Sequence, residues 1–378
     1  MRLNPVLEQL RVYPFVRLAE AKRAARARGV DVIDFGIGEP HEETPAFIRA
    51  ALAAAVEAQP ISTYPTGDGL PELREAVAAW VQRRFAIALD PDREVVPTYG
   101  SKELVFHLAQ VVCAPGDRVA VTTPGYPVPE RGAMFAGCEV VDVPLDPARG
   151  WLPDLAAVDW RGVRLLWLNF PNNPTGAAAP LQLYEQAAAL GREHGFVVAS
   201  DEAYSELWFS GDAPASALQV ADRTGVVVCN TLSKRSSMPG YRSGFLAGDP
   251  ALIAAVKRYR PNVGVAPQDF VQRAAVAAWA DEAHVEAVRA RYADKRAVLL
   301  PALEAAGLRL AGGDATFFLW LHAGGEDDEA VAMRLLDQQG LALAPGSFFG
   351  PAGAGHLRAA LVPTPERCAD AARRLASA

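Results

Sequence analysis

Apolar and polar positions follow two different periods along the middle of the chain. Between residues 100 and 250, short apolar runs rich in β-branched side chains are separated by stretches whose apolar residues recur at helical spacing. The short runs that we interpret as strands are residues 118–123, 163–170, 196–200 and 225–230. Residues 181–194 have helical spacing and end at Gly195, which suits the left-handed position after a helix. This alternation predicts an α/β unit with a mainly parallel sheet.

The two ends of the chain have another pattern. Residues 1–28 are helical in pattern. Residues 282–306 predict a long helix that is interrupted late by Pro301. Residues 308–322 and 341–345 predict strands that do not alternate with helices in the way of the middle segment. These ends therefore belong to a unit of different layout.

The length of the chain also indicates two domains, because 378 residues exceed what one hydrophobic core usually organises. The turn-rich residues 36–45 separate the N-terminal segment from the middle. The predicted divisions are an N-terminal segment and part of a small domain at 1–45, a large α/β domain at 46–284, and the rest of the small domain at 285–378.

Charge and hydropathy narrow the possible partners. Charged residues make up 21% of the chain and the formal net charge is −7, so there is no broad basic surface for nucleic acid or anionic lipid. No apolar run approaches the roughly 18 residues of a membrane span, and residues 1–15 lack a signal-peptide stretch. We therefore expect a cytoplasmic protein with no nucleic-acid or membrane partner. Scattered cysteines without a CxxC pair predict buried thiols and no metal site: Cys113, Cys138, Cys229 and Cys368.

Lys234 is the first candidate for chemistry. The chain has only five lysines, and Lys234 follows the predicted strand at residues 225–230. Ligands in open α/β sheets collect outside such strand ends, where a lysine loses water and its neutral amine can attack an aldehyde. The alternative is a surface lysine with its head in water.

Two more strand ends carry polar residues that we expect near Lys234. Asp201 follows a predicted strand, and a carboxylate there can keep a pyridine nitrogen protonated, which makes the ring an electron sink. Tyr204 can donate to a phenolic oxygen on that ring, and Asn173, in a stiff loop between two prolines, can donate to the same oxygen. Taken singly, Asp201 is equally well explained as a helix N-cap and the asparagine loop as an ordinary turn.

An anion site is predicted at the start of a helix. Ser101 precedes the helical residues 104–112, so its hydroxyl and the neighbouring backbone N–H groups can hold a phosphate. Thr231 and Arg242 can close around the same phosphate, the arginine through a bidentate pair. A helix-capping role is the alternative for Ser101. Tyr126 lies beyond the next strand end, where it can stack on a ring or serve only in packing.

Arg358 lies in the otherwise apolar strand pattern at residues 356–361. Arginine is rarely buried without a partner, and its guanidinium fork matches a carboxylate with two hydrogen bonds. We therefore predict that Arg358 binds the carboxylate of a ligand, with an internal ion pair as the alternative.

Together these motifs resemble those of the class I and II aminotransferases of fold type I. The matching segments run in the family's order over essentially the whole chain and are NNPTG at 172–176, DEAY at 201–204, SKRSSMPGYRSG at 233–244 and HLR at 356–358. The resemblance implies pyridoxal 5'-phosphate as cofactor, and a large mainly parallel α/β cofactor domain beside a smaller α+β domain made of both chain ends. It implies that Lys234 holds the cofactor as a Schiff base and moves the substrate α-proton, with Asp201 and Tyr204 as the other catalytic groups.

The same resemblance assigns the remaining roles. The residues that would contact the ring are Asp201 at the pyridine nitrogen, Asn173 and Tyr204 at the phenolic oxygen, and Tyr126 by stacking. Those that would hold the phosphate are Ser101, the backbone of Lys102, Thr231 and Arg242. Those that would bind the substrate are Gly38 through its backbone, Asn173 and Arg358. Tyr64 matches the family tyrosine that reaches the phosphate of the partner subunit, which implies a homodimer with shared active sites.

Several short segments narrow the resemblance. They are YPF at 13–15, YPTGDG at 64–69, GSKEL at 100–104, APGSFFGP at 344–351, and Ser236 where relatives often carry an aromatic residue. Within the family they are most similar to the transaminases of succinyldiaminopimelate in lysine biosynthesis. That similarity implies N-succinyl-LL-2,6-diaminopimelate as amino donor and 2-oxoglutarate as acceptor. The donor's distal carboxylate needs its own cation, and the candidates are Arg17, Lys102 and Arg235.

Other activities fit parts of the pattern. An aminotransferase for aspartate, LL-diaminopimelate or aromatic amino acids would use the same cofactor residues. So would a carbon–sulfur lyase of the same fold, because the cofactor performs the carbanion chemistry. A cofactor-sensing transcription regulator is the non-enzymatic alternative, but it needs a basic DNA-reading module that this acidic chain does not predict.

Overall fold

The computed structural model describes residues 3–10, 14–264 and 266–377. Within these ranges, no helix combines the length and apolarity needed to cross a bilayer. The helices, apart from short 3-10 turns, are α1 (Pro5–Gln9), α2 (Pro14–Ala27), α3 (Ala46–Glu57), α4 (Pro71–Phe85), α5 (Ser101–Val112), α6 (Val128–Phe135), α7 (Leu181–His194), α8 (Leu232–Arg235), α9 (Pro250–Tyr259), α10 (Asp269–Ala280), α11 (Ala283–Ala305), α12 (Asp328–Gln339) and α13 (Pro365–Ala376). The strands are β1 (Ile33–Asp34), β2 (Val95–Thr98), β3 (Arg118–Thr123), β4 (Glu139–Asp146), β5 (Leu152–Pro153), β6 (Val163–Asn169), β7 (Val197–Asp201), β8 (Val226–Thr231), β9 (Gly244–Gly248), β10 (Arg309–Leu310), β11 (Phe318–His322), β12 (Leu341–Ala342), β13 (Ala344–Pro345) and β14 (His356–Ala360).

The largest sheet has eight strands in the order β2-β9-β8-β7-β6-β3-β4-β5. The strands from β8 through β7, β6 and β3 to β4 are parallel, whereas β9 and β5 run antiparallel to their neighbours. The four predicted strands of the middle segment are β3, β6, β7 and β8, within one residue at each end, and the predicted helix is α7. The α/β prediction is confirmed, because these apolar runs are buried on both faces of a parallel sheet.

The carboxyl ends of three neighbouring strands lie side by side. Asn169 at the end of β6 pairs with Asp201 at the end of β7, and Asp201 pairs with Cys229 near the end of β8. Parallel strands end at the same edge of a sheet. The loops that leave this edge carry Asn173 and Lys234, so the fold brings together residues that are far apart in sequence.

A second sheet has four antiparallel strands in the order β10-β11-β14-β13. Its apolar side chains form a core with α11, α12 and α13, and Ile33 and Phe35 from the N-terminal segment lie in the same core. β1 also pairs with β12, so the two chain ends pack together. These contacts agree with a small domain built from both ends, and the limits at residues 45 and 284 stay a prediction.

One predicted detail of the C-terminal segment is wrong. Helix α11 continues through Pro301 without interruption. Buried Leu299 and Leu303 on either side hold that turn in the core, which offsets the backbone hydrogen bond that proline cannot make. The strands predicted within residues 308–322 are present as β10 and β11, with a loop between them. The N-terminal segment contains α1 and α2, and Tyr13 of the YPF motif lies outside the described residues.

Candidate active site

A cavity of about 550 Å³ lies at the carboxyl edge of the large sheet, a size typical of small-molecule sites. Both sheets contribute to its wall. The predicted site residues that line it are Gly38, Ser101, Lys102, Tyr126, Asn173, Asp201, Tyr204, Thr231, Lys234, Arg242 and Arg358. Tyr64 does not line it and is 93% exposed in the single chain. The fold therefore brings all the predicted site residues except Tyr64 to one place.

Lys234 lies on the four-residue helix α8, directly after strand β8. Its Nζ donates to the carbonyl oxygen of Gly38 at 2.8 Å. The rings of Tyr204 and Phe317 lie 5.8 and 5.5 Å from the same nitrogen. Burial, with a smaller contribution from the charge of Arg358, lowers the pKa of Lys234 to about 8. A neutral amine, the form that attacks an aldehyde, is thus accessible near neutral pH.

Asp201 ends strand β7 and is 6% exposed. Its Oδ1 accepts a hydrogen bond from the backbone N–H of Ala203 at 3.3 Å, and burial raises the pKa of the carboxyl to about 6. A buried carboxylate is stable as an anion only when a cation pairs with it. A protonated ring nitrogen in the cavity would supply that cation.

Arg358 and Asn173 meet at the end of the cavity where the small domain contributes. Arg358, 3% exposed on strand β14, donates through Nη1 to Asn173 Oδ1 and through Nη2 to the carbonyl oxygen of Gly36, each at 2.8 Å. The guanidinium also lies 4.2 Å from the ring centre of Phe318 and 4.6 Å from that of Phe349. Because the amide oxygen of Asn173 accepts from Arg358, its amide nitrogen is the atom left to act as a donor. This agrees with the predicted donor role.

The start of helix α5 and the guanidinium of Arg242 lie together in the wall of the cavity. The helix begins at Ser101 after Gly100, whose φ of 68° suits glycine. Arg242 donates to the carbonyl oxygen of Tyr99 at 2.9 Å and to that of Pro239 at 2.9 Å. A Cβ at Gly100 would lie 2.7 Å from Arg242 Nη2, so only glycine lets the guanidinium approach the helix start. Backbone N–H groups and a guanidinium together match a phosphate.

These groups fit pyridoxal phosphate. Asp201 provides the buried anion for a ring nitrogen, Lys234 the amine for an aldehyde, and the start of α5 with Arg242 the phosphate site. Arg358 remains for the carboxylate of a second ligand. The first three features match one ligand that carries an aldehyde, a basic ring nitrogen and a phosphate.

The three residues predicted to bind the distal carboxylate of the substrate lie in different surroundings in the structure. Arg235 is wrong as a candidate: it is 1% exposed, does not line the cavity, and donates to both carboxylate oxygens of Glu282 at 2.9 Å. Arg17 forms a bidentate pair with Glu329, at 3.0 Å for both bonds, on the surface. Lys102 is exposed and lines the cavity. Only Lys102 of the three therefore lies where a bound substrate can reach it.

Sequence reasoning missed a buried charge pair beside the site. Lys295 Nζ bonds to Glu42 Oε1 and to the carbonyl oxygen of Leu361, and Arg291 donates to Glu42 Oε2 at 2.8 Å. Glu42 lies in the segment that carries Gly38. Lys295 falls three residues after buried Tyr292, on the apolar stripe of α11. A lysine in that stripe is the signal that could have revealed a buried partner.

Comparisons with known proteins show the family to which this chain belongs. Residues 30–375 match the family model described as aminotransferase class I and II. The LL-diaminopimelate aminotransferase of Desulforudis audaxviator is 37% identical over 376 residues, covering 98% of this chain and 96% of the relative. The crystal structure of an aminotransferase from Neisseria meningitidis superposes with a TM-score of 0.92 at 35% identity, covering 99% of each chain. A "probable N-succinyldiaminopimelate aminotransferase" from Thermus thermophilus superposes with a TM-score of 0.87 at 34% identity, covering 96% of this chain and 99% of that one.

Proposed function

The chain belongs to the class I and II aminotransferase family, and we propose that it transfers the amino group of N-succinyl-LL-2,6-diaminopimelate to 2-oxoglutarate. The observation that carries the proposal is a pair of cations in one cavity. Arg358 is buried at the small-domain side, and Lys102 is exposed at the start of α5. Both proposed substrates carry a carboxylate at the reacting end and another at the far end. Two separate cations suit such molecules.

The proposed roles of the side chains follow from their contacts. Pyridoxal phosphate, when bound, draws electrons from the substrate α-carbon and carries the amino group between the two half-reactions. Lys234 Nζ, with its lowered pKa, takes the α-proton and returns it. Asp201 keeps the ring nitrogen protonated, and Arg358 holds the α-carboxylate so that the α-carbon faces Lys234. The aromatic wall formed by Phe318 and Phe349 excludes water from this end of the cavity.

LL-diaminopimelate is the second candidate donor. The curated relative from Desulforudis audaxviator is named for this compound. Glu39 also lines the cavity and is exposed. Its carboxylate can pair with a distal ammonium group, which LL-diaminopimelate has and which the N-succinyl compound replaces with a neutral amide. Glu39 therefore favours the free diamine. Lys102 suits both donors, because each of them carries a carboxylate at its far end.

A half-reaction tests the proposal. Purified protein loaded with pyridoxal phosphate is mixed with N-succinyl-LL-2,6-diaminopimelate alone, and the absorption of the cofactor is followed. Conversion to the pyridoxamine form, reversed by 2-oxoglutarate, would support the donor and the acceptor. Conversion by LL-diaminopimelate at a kcat/KM at least tenfold higher would transfer the assignment to that compound. Pyruvate release from cystathionine, with no conversion by either donor, would identify a lyase instead. Lys234→Ala is the control and should give no conversion.

We also propose that the active site is shared between two copies of this chain. Tyr64 is 93% and Ile61 77% exposed in the single chain, the two largest exposed fractions among the exposed large hydrophobic side chains of the described residues. If Tyr64 reaches the phosphate in the partner subunit, Tyr64→Ala and Lys234→Ala should each impair catalysis on their own. Mixed after partial unfolding and reassembly, they should form hybrid dimers that have one intact site. Recovery of about a quarter of wild-type activity is expected from random pairing. No recovery, with dimers present by sedimentation, would contradict the sharing.

A further inference from the structure

Lys234 lies on a helix that is too short to be stable without contacts from neighbouring elements. Helix α8 spans only Leu232–Arg235, and a single helical turn is unstable without support from its surroundings. The turn that follows it contains Ser237 with a φ of 50°, a left-handed conformation that costs energy for a side chain other than glycine. Neighbouring elements must therefore impose the geometry of this segment.

The junction between α10 and α11 contacts both residues that follow Lys234. Ser236 Oγ lies 2.8 Å from His284 Nε2, and His284 Nδ1 lies 2.6 Å from Asp281 Oδ1. Arg235, one residue earlier, donates through Nη2 to both carboxylate oxygens of Glu282. Three residues of this junction, Asp281, Glu282 and His284, thus hold two consecutive residues of the lysine segment.

The hydrogen bonds have a defined direction. The ionised carboxylate of Asp281 accepts from Nδ1–H of His284, which leaves Nε2 without a proton and able to accept from the hydroxyl of Ser236. Burial lowers the pKa of His284, which favours the neutral ring that this arrangement requires. Ser236 is 0% exposed and His284 8% exposed, so water does not compete for the bond.

A serine, a histidine and an aspartate bonded in series also occur in hydrolases, where the serine attacks a carbonyl. Ser236 does not line the cavity and is fully buried, so no substrate carbonyl can approach its oxygen. The bonded residues Ser236, His284 and Asp281 therefore have a structural role, which is to hold the turn next to Lys234.

Helix α11 also supports Lys234 indirectly, through the segment that contains Gly38 and Glu42. Lys295 and Arg291 on this helix hold Glu42, and Glu42 lies four residues after Gly38, whose carbonyl oxygen accepts from Lys234 Nζ. One helix thus supports both the backbone after Lys234 and the acceptor of its amine.

We propose that His284 is a positioning residue that, through Ser236, fixes the turn after Lys234 and so holds the Lys234 amine where the cofactor aldehyde must meet it. This inference rests on the proposed role of Lys234. Loss of the His284–Ser236 bond lets the turn relax toward ordinary backbone angles, and the amine then samples positions away from the aldehyde. Both the attachment of the cofactor and the proton transfer slow down, while substrate binding by Arg358 is unaffected.

The test compares Ser236→Ala and His284→Phe with Ser236→Thr and His284→Gln, which retain a hydroxyl and a hydrogen-bond acceptor. Two measurements are made: the rate at which cofactor-free protein forms its Schiff base with pyridoxal phosphate, followed by absorption, and kcat and KM separately. The first two variants should form the Schiff base at least threefold more slowly and lose at least threefold in kcat, with KM changed less than twofold. The conservative variants should keep more than half of both rates.

A matched control separates positioning from general loss of stability. Ser216 is also a fully buried serine of the large domain; its Oγ accepts from the N–H of Leu218 at 3.2 Å, and it does not line the cavity. Ser216→Ala should lower the melting temperature without slowing Schiff base formation. Wild-type rates in folded Ser236→Ala would overturn the inference, and this smaller change decides the matter should His284→Phe not fold. A Schiff base in Lys234→Ala would instead overturn the proposed role of Lys234 itself.

Discussion

Arg358 Nη1 donates to Asn173 Oδ1 at 2.8 Å although 185 residues separate them in the chain. The bond joins strand β14 of the second sheet to the loop after β6 of the first. Asn173 follows the strand edge that also carries Asp201, so the arginine that we propose for the substrate is held against a residue that we propose for the cofactor. The two proposed ligand sites are therefore joined by a direct contact between their side chains.

Replacement of Arg358 should weaken every carboxylate-bearing substrate. Arg358→Ala is expected to lower kcat/KM by a factor that corresponds to a loss of about 2–5 kcal/mol in transition-state stabilisation. The loss should appear mainly as a higher KM, because the buried carboxylate of the substrate loses its charged partner. Arg358→Lys should recover only part of this loss, since an ammonium lacks the planar fork that bonds both oxygens. Steady-state kinetics with two unrelated amino donors measure the effect. Arg17→Ala, an exposed arginine bonded to Glu329, is the control, and a kcat/KM for Arg358→Ala within twofold of wild type would move the carboxylate site elsewhere.

The lowered pKa of Lys234 predicts how cofactor attachment depends on pH. Burial places this pKa at about 8, so the amine is mostly protonated at pH 7 and mostly neutral at pH 9. The rate at which cofactor-free protein forms its Schiff base should rise about fivefold from pH 7 to pH 8 and level off above pH 9. Stopped-flow absorption between pH 6.5 and 9.5 measures it. A rate that still rises tenfold per pH unit at pH 9.5 would mean an ordinary, solvated lysine.

Asp201 should make the protein without cofactor less stable near neutral pH. Burial raises its pKa from an ordinary 3.8 to about 6, so folding favours the protonated form. The stabilising effect of that form is complete below the unfolded pKa and is lost as the pH rises through about 6, where the buried carboxylate becomes charged. Asp201→Asn should therefore raise the free energy of unfolding of the cofactor-free protein at pH 8 by roughly 2–3 kcal/mol, and have little effect at pH 4.

Urea unfolding at the two pH values checks this expectation. The same substitution should weaken cofactor binding, because a neutral amide cannot form an ion pair with a protonated ring nitrogen. Greater stability together with weaker cofactor binding would identify Asp201 as a residue kept for function at a cost in stability. Equal stabilisation at both pH values would show that the charge of Asp201 is not the cause.

The parts of the site that the sequence predicted are those that follow strand ends. Asp201 and Lys234 come directly after apolar runs, and parallel strands bring their ends to one edge, so a one-dimensional pattern predicts proximity in space. Ser101 is visible for a similar reason, because it precedes the helical spacing of residues 104–112, and α5 begins at it. These residues depend on local structure and on a simple topology.

The contacts that were missed join segments with no shared local pattern. The pairing of Arg235 with Glu282 removed a predicted substrate cation, and nothing in the residues near Arg235 indicates a partner 47 positions later. Pro301 was expected to interrupt α11, but tertiary packing outweighs the missing hydrogen bond. Contacts between distant segments and the packing of buried side chains therefore cannot be predicted from local sequence patterns.

The pair of Glu42 and Lys295 leads to a prediction about how the Gly38 segment is held. The Lys295 side chain is 0% exposed and that of Glu42 12% exposed, so each charge depends on the other for stability in the interior. Glu42→Gln leaves the ammonium of Lys295 buried without its counter-charge and should reduce the free energy of unfolding by about 3–5 kcal/mol. The double variant Glu42→Leu with Lys295→Met removes both charges and fills the space, so it should lose less than half as much.

Activity should respond differently from stability in these two variants. Both release the segment that presents Gly38 to Lys234, so both should raise KM for the amino donor by a similar factor, whatever their stability. Urea unfolding and steady-state kinetics on the same preparations separate the two effects. Arg334→Ala, which breaks an exposed pair with Glu326, should change neither quantity. If the double variant were as unstable as Glu42→Gln, packing in this region rather than the buried charge would hold the segment. If KM rose only in Glu42→Gln, the segment would be held by its backbone contacts, and the ion pair would serve stability alone.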